Sequence, residues 1–214
     1  MSLESVLERI HRAAARAGRA PTDVKLVVVS KGRNPDEIRA LYTRGIRDFG
    51  ENRVQEAEEK RRFLPPDIRW HFIGNLQANK VRKVVGHFAC IHSISSLELA
   101  LKASALGIAQ DVLLEVNIAQ EASKHGMSEE ELLRDFSRFA ALPNIRIRGL
   151  MTMAPLFRRQ DTVEIESVRS TFRRARALRD RLNLSELSMG MSQDFELAIE
   201  EGATIVRIGS AVFS

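Results

Sequence analysis

Lys31 ends the apolar run Leu26-Val27-Val28-Val29-Ser30 and is followed at once by Gly32-Arg33-Asn34-Pro35. Burial at the mouth of a strand penalises the lysine ammonium and lowers its pKa. A neutral lysine amine forms a Schiff base with an aldehyde, so the position suits covalent capture of a carbonyl. The plain alternative is a solvated loop lysine. Some 160 residues later, Gly190-Met191-Ser192 and Gly209-Ser210 follow two further apolar runs. Ser192 can cap the helix expected over 193–201, and its hydroxyl with the next amides would then face an anion. Gly209 permits close backbone approach, and Ser210 adds an amide and a hydroxyl. The alternative is that Ser192 only caps a helix and Gly209 only turns the chain. Arg207 interrupts the frame Thr204-Ile205-Val206-Arg207-Ile208. A charge inside such a strand must be paired or used. It points outward to an ion pair, or inward to a ligand. Beside a heterocyclic nitrogen it would donate a hydrogen bond and oppose protonation of that nitrogen.

The histidines and the cysteine carry less. His71 follows Trp70 in an expected strand and reads as a hydrogen-bonded interior group, while His11 and His87 read as surface positions. Cys90 and His92 share one strand face by alternation, but two ligands make a poor metal site. No metal site is expected. No Ser-His-Asp arrangement, P-loop or G-x-G-x-x-G is found.

The elements that must position these residues alternate almost to the end of the chain. An amphipathic helix is expected over 2–17, with Leu3, Val6, Leu7, Ile10, Ala14 and Ala17 on one stripe and Gly18 closing it. Strands are expected at 24–30, 46–49, 69–73, 88–93, 112–118, 145–151, 186–189 and 204–208. Asn34-Pro35-Asp36-Glu37, Ser95-Ser96-Leu97-Glu98 and Ser128-Glu129-Glu130-Glu131 read as capping boxes opening helices between them. Eight strands with intervening helices predict a single α/β domain over residues 1–214, a (β/α)8 TIM-type barrel with an extra N-terminal helix. That helix fills the gap between strands one and eight or lies across the barrel floor. A doubly wound open sheet is the second architecture. In a barrel, chemistry gathers in the loops after the strands. Those loops hold Lys31, Gly50-Glu51-Asn52, Gly74-Asn75, Asn117 with the polar run to Lys124-His125-Gly126, Met151-Thr152-Met153, Gly190-Met191-Ser192 and Gly209-Ser210. They are far more polar than the strands, as one composite site requires.

The chain has 214 residues, 44% of them hydrophobic and 29% charged, enough for a substantial core. No run approaches the roughly 18 consecutive apolar residues of a membrane helix. The first residues are too charged for a secretory signal, and one cysteine gives no disulfide framework. A reducing cytoplasm is the expected compartment. The net charge of +5 comes from bases interleaved with acids, as in Glu56-Ala57-Glu58-Glu59-Lys60-Arg61-Arg62. The densest basic run, Arg173-Arg174-Ala175-Arg176, reads as a solvated helix face, so no nucleic-acid partner is expected.

Val29-Ser30-Lys31, FGENRVQE (49–56), WHFIGNLQANK (70–80), VNIAQEASKHG (116–126), RGLMTMAP (148–155) and LSMGMSQDFELAIEEGATIVRIGSAVF (187–213) together resemble the pyridoxal-phosphate (PLP) homeostasis family, in order and over nearly the whole chain. The resemblance implies one barrel similar to the N-terminal domain of alanine racemase, a monomer, and a role in vitamin B6 balance. It implies PLP held as an internal aldimine on Lys31. Asn52 would lie beside the cofactor. Ser192, Gly209 and Ser210 would hold its phosphate with Met191 alongside, and Arg207 would face the pyridine nitrogen. Gln193-Asp194-Phe195 departs locally from the family pattern. An arginine at that nitrogen weakens the electron sink on which PLP enzymes depend. Racemisation also needs a base on each face of the substrate carbon. In the racemases the second base is a tyrosine, and here the only one, Tyr42, falls on the first crossover helix. The expectation is therefore a non-catalytic PLP carrier, with PLP-dependent apo-enzymes as recipients. A weak amino-acid racemase is the alternative.

Overall fold

The computed structural model describes residues 2–119, 125–155 and 161–213. Eight parallel strands form a closed barrel in chain order. They are β1 (Lys25–Val29), β2 (Asp48–Glu51), β3 (Arg69–Phe72), β4 (Cys90–Ile94), β5 (Gln110–Glu115), β6 (Ile145–Met151), β7 (Glu186–Ser188) and β8 (Ile205–Ile208). The helices are α1 (Leu3–Arg16), α2 (Pro35–Thr43), α3 (Val54–Arg61), α4 (Val81–Val84), α5 (Leu97–Ser104), α6 (Glu129–Ala140), α7 (Thr162–Arg181) and α8 (Phe195–Glu200). This is the expected TIM-type barrel, and the open sheet is excluded because β1 pairs with β8 from Lys25↔Ile205 to Val28↔Ile208.

The strands alternate between two cores. Outward residues such as Val28, Phe49, Trp70, Phe72, Ile91, Leu187 and Val206 pack under the helices in the main apolar cluster. Inward residues Val27, Cys90, Leu113, Met151 and Ile205 form a smaller cluster inside the barrel. Each fully buried aliphatic or aromatic side chain contributes about 1.5–3 kcal/mol.

Helix starts follow the sequence closely. Asn34 accepts from the Glu37 amide at 2.9 Å while Glu37 accepts from the Asn34 amide at 2.9 Å, and Ser128 with Glu131 does the same. The expected box before α5 is only half made. Ser96 caps the Leu99 amide at 3.2 Å, whereas Glu98 pairs with Lys102 one turn on. After β3, the expected helix over 77–85 is a 3-10 turn, Ala78–Lys80, leading into the single turn of α4.

Of the two placements for the N-terminal helix, the structure has the first. Helix α1 lies along α8, with Arg9 on Glu196 at 2.6 Å and Arg16 on Glu200 at 2.7 Å. At its other end Glu4 pairs with Arg44, just past α2. It buries Leu3, Val6, Ile10, Ala13 and Ala14, so it covers the barrel where the helix after β8 would lie. Among the described residues, a 3-10 turn, Ser210–Val212, follows β8. The basic run on α7 meets acids: Arg173 pairs with Glu166 and Glu201, Arg174 with Glu129, and Arg176 with Asp180. No described helix is long and apolar enough to cross a membrane.

One glycine fixes the barrel's closure between β6 and β7. The register of β5 on β6 shifts between Val112↔Ile147 and Leu113↔Gly149. Gly149 itself pairs with Glu186 of β7, where a Cβ would collide with the Glu186 carbonyl oxygen. Gly149→Ala is expected to destabilise by about 1–3 kcal/mol, because backbone must move to admit a methyl group. The urea midpoint should fall at constant slope. An unchanged midpoint would refute this account of the β6–β7 approach.

Candidate functional site

The C-terminal ends of the strands define one mouth, and strand register places the predicted residues around it. Val29 pairs with Gly50, so Lys31 and Asn52 leave adjacent strands at the same level. Val28 pairs with Ile208, which brings Gly209 and Ser210 beside the start of the Lys31 turn. A Cβ on Gly209 would lie 3.4 Å from the Val29 carbonyl oxygen. The loop after β7 joins them, because the Arg207 amide donates to the Gly190 carbonyl at 3.0 Å. Across the mouth, Asn75 and His125 approach to 3.3 Å from the loops after β3 and β5. Residues 120–124, including Lys124 of the expected polar run, lie outside the described residues.

Lys31 is exposed, not buried as its place after an apolar strand suggests. It continues the inward alternation of Val27 and Val29 and sits at the head of a tight turn. The Arg33 amide donates to the Ser30 carbonyl at 3.0 Å, and Gly32 takes a φ of 69° that favours glycine. The Gly32 amide donates to Glu56 at 3.2 Å.

The buried lysine is Lys60, which the sequence reading did not single out. It lies on the face of α3 that buries Val54 and Ala57, so a spacing of three marks it as standing where an apolar residue would. Its Nζ donates to Glu51 Oε1 at 2.6 Å and to the Ser30 carbonyl at 2.8 Å. Ser30 Oγ donates to the same Glu51 oxygen at 2.7 Å. Burial pushes the Glu51 carboxyl up, and the hydrogen bonds from Lys60 and Ser30 oppose that only in part. Glu51 therefore sits behind the Lys31 turn, between barrel and helix, rather than in the open loop where the sequence placed it.

Ser192 does not cap α8. Residues 192–194 form a turn, α8 begins at Phe195 after Asp194, and Asp194 Oδ1 accepts from the Met191 amide at 2.5 Å. The carboxylate two residues on closes this turn more tightly than the serine hydroxyl would. Ser192 is left half-buried in the loop, with Met191 exposed beside it. Gly190 sets the loop against the helix: its φ is 92°, and a Cβ there would lie 2.6 Å from Ala198 Cβ. Gly209 is half-buried, while Ser210 and Asn52 are exposed.

Arg207 takes the inward alternative. It is 5% exposed, donates from one terminal nitrogen to Ser188 Oγ at 2.6 Å and from the other to the Thr152 carbonyl at 3.2 Å. Burial pulls its pKa down to about 10, which leaves it cationic at neutral pH. Glu115, at the end of β5, is also buried, and burial pushes its carboxyl up against the pull of His125 and Arg207. Behind Arg207 stand His71 and His92, both inside the barrel, with Nδ1 of the first 3.0 Å from Nε2 of the second.

The set comprises an accessible amine, two serine hydroxyls in glycine-bearing loops, and a cationic arginine set deeper in the same mouth. These groups fit a ligand that carries an aldehyde, a phosphate and a ring nitrogen together. In such a ligand the amine would suit the aldehyde, the loop donors the phosphate, and the guanidinium an acceptor nitrogen.

Comparison with known proteins identifies the family. Residues 1–214 match the family model described as alanine racemase, N-terminal domain. The pyridoxal phosphate homeostasis protein of Aquifex aeolicus is 46% identical over 222 residues, covering 99% of this chain and 95% of that protein. Its counterpart in Pseudomonas aeruginosa is 42% identical, covering 99% and 93%. Among solved structures, PipY of Synechococcus elongatus with PLP bound superposes with a TM-score of 0.82 at 36% identity, covering 96% of this chain and all of that one. The alanine racemase of Corynebacterium glutamicum, at 18% identity and a TM-score of 0.70, shares the fold over 99% of this chain and 61% of its own length. The chain belongs to the family of the alanine racemase N-terminal domain and, within it, to the pyridoxal phosphate homeostasis proteins.

Proposed function

We propose that this protein binds pyridoxal 5'-phosphate through Lys31 and serves intracellular vitamin B6 homeostasis, holding and releasing the cofactor rather than turning over a substrate. The observation that carries the reading is the convergence, at one barrel mouth, of an accessible lysine and a buried inward arginine. Bound there, pyridoxal phosphate would supply an aldehyde that an amine captures reversibly with loss of water. Lys31 is the amine. Ser192, Gly209 and Ser210 receive the phosphate, with Met191 at its edge and Asn52 beside the ring. Arg207 donates to the pyridine nitrogen and keeps it unprotonated, since a cation there disfavours a second positive charge.

Two features favour a carrier over a racemase. An unprotonated ring is a poor electron sink. Tyr42 is on α2 outside the barrel, its hydroxyl donating to Asp67 at 2.7 Å and its ring covered by Arg47 at 3.9 Å. It is thus committed elsewhere and does not serve as an opposing base. PLP-dependent apo-enzymes of the cytoplasm are the proposed recipients, and the domain over 1–214 acts as one cofactor-holding unit.

Borohydride reduction of the PLP-loaded protein, followed by peptide mapping, should place the modification on Lys31. Incubation with L- or D-alanine should give no turnover beyond one equivalent. An unmodified Lys31 would overturn the site, and sustained turnover would overturn the carrier reading.

A further inference from the structure

A line of polar side chains runs through the barrel interior behind Arg207, and each link is a hydrogen bond. Arg207 donates to Ser188 Oγ at 2.6 Å. Ser188 Oγ lies 3.0 Å from His92 Nδ1, His92 Nε2 lies 3.0 Å from His71 Nδ1, and His71 Nε2 lies 2.9 Å from Asp48 Oδ1. Arg69 closes the line, donating to Asp48 at 2.9 Å and 2.5 Å. His71, His92, Ser188 and Arg207 are all at most 5% exposed. The line draws on β2, β3, β4, β7 and β8, and thereby joins the barrel floor to its mouth.

The ends of the line dictate where its hydrogens lie. Burial opposes ionisation of Asp48, but the hydrogen bonds from His71 and Arg69 outweigh it and keep the carboxylate charged. A carboxylate only accepts, so His71 carries its hydrogen on Nε2. Burial above all, with the cations Arg207 and Lys25 adding to it, drives His92 well below the usual histidine range, so it is neutral. At the far end Arg207 only donates, so Ser188 accepts from it and has its own hydrogen to give. One arrangement satisfies every link and also gives the Ser188 hydrogen a partner: Ser188 donates to His92 Nδ1, His92 donates from Nε2 to His71 Nδ1, and His71 donates to Asp48. The reverse order leaves the Ser188 hydrogen without either of these partners. Cys90 Sγ also lies within 4.8 Å of the two ring nitrogens, as a metal site would require. The facing nitrogens already share a hydrogen at 3.0 Å, and burial pushes the thiol pKa up, so the hydrogen-bonded line is the better account.

We propose that His92, and behind it His71, are positioning residues for Arg207: they fix one hydrogen order along the line, so that Ser188 always turns a lone pair towards the guanidinium. Arg207 is thereby held at one aim into the mouth. This rests on the reading that Arg207 faces the pyridine nitrogen of the bound cofactor, and it adds that the aim is set from the opposite end of the barrel.

Two measurements test it. The first is 15N NMR of the histidine-labelled protein without cofactor. Both His71 and His92 should carry hydrogen on Nε2, and His92 Nδ1 should be bare. Hydrogen on His92 Nδ1, or facing nitrogens that are both bare, would overturn the proposal. The second is PLP titration followed by visible absorbance. His92→Phe should shift the absorption maximum of the bound cofactor and weaken binding about 5- to 10-fold, the size of one lost hydrogen-bonded alignment. His92→Gln keeps one donor and one acceptor and should recover binding to within about 2-fold. Ser188→Ala, a smaller change, should reproduce the shift and serves if His92→Phe does not fold. Unchanged absorbance and affinity in these variants would overturn the positioning role. Arg207→Lys separates the two claims. An unshifted spectrum there would remove the pyridine contact from the proposed site, while the NMR result still decides the hydrogen order.

Discussion

Lys31→Ala should leave the barrel as stable as before and abolish covalent capture of PLP. The side chain is exposed, and the turn that carries it is closed by backbone and by buried groups, with Ser30 accepting from Arg33 and Lys60. Truncation at such a position changes stability by less than about 0.5 kcal/mol. Nothing else among the described residues at the mouth offers an exposed amine from the strand end where Lys31 stands, so the absorbance of the lysine-bound cofactor and the borohydride-fixed adduct should both vanish. The phosphate-facing loops remain, so residual binding should persist, weaker on the order of 100-fold, or about 2.7 kcal/mol. Equilibrium dialysis measures that residue, and urea unfolding measures the stability. A variant that still takes up PLP with unchanged absorbance would remove Lys31 from the centre of the site. Loss of binding accompanied by loss of folding would show instead that the turn depends on Lys31 for its shape.

The architecture is legible in the sequence because its local signals agree. Apolar stretches short enough for strands recur between helices with their own start signals, and at Ile145–Met151 the expected and observed strand coincide. The shifts have a common physical cause. The second strand runs from Asp48 to Glu51, two residues later than the apolar run suggests. Its last residues are glycine and glutamate, and Glu51 is tolerated there only because Lys60 reaches it from the next helix. Such a pair, nine residues apart, shares no helix face or strand face, so no periodicity in the sequence announces it. The same holds for the histidine line, whose members come from five strands and meet only once the barrel closes. At Ser192 two local rules competed, and Asp194 won because its carboxylate closes the turn onto Met191. Lys31 and Arg207 stand out in the sequence because each is a charge where the pattern demands an apolar or turn residue. Even so, the burial expected at Lys31 is found at Lys60, and sequence position alone did not distinguish a lysine at a mouth from one beneath it.

The largest stability effect is expected at that second lysine. Lys60 is 7% exposed and Glu51 not at all, and Glu51 Oε2 has no hydrogen-bond partner among the described residues. Lys60→Met keeps the length of the stem and removes the charge. Glu51 is then a buried carboxylate held by Ser30 alone, with Glu56 as a further negative neighbour. Removing one partner of a buried pair costs about 3–5 kcal/mol, chiefly through the charge left behind. Adding Glu51→Gln to Lys60→Met removes that charge and should recover much of the loss, so the two substitutions should be strongly non-additive. The deficit should also depend on pH. Burial already raises the Glu51 pKa above its ordinary 4.5 in the folded protein, and loss of Lys60 raises it further. Between the unfolded and folded values the folded state binds more protons than the unfolded one, so stability falls as pH rises through that window. The gap between Lys60→Met and the parent should therefore narrow as pH is lowered from 7 towards 5. A loss below about 1 kcal/mol, or a gap that widens with acid, would refute the buried-pair account. The same substitution frees the Ser30 carbonyl from one of its two donors, and so loosens the turn that presents Lys31. Slower PLP capture by Lys60→Met at saturating cofactor would show that this buried pair supports the site as well as the fold.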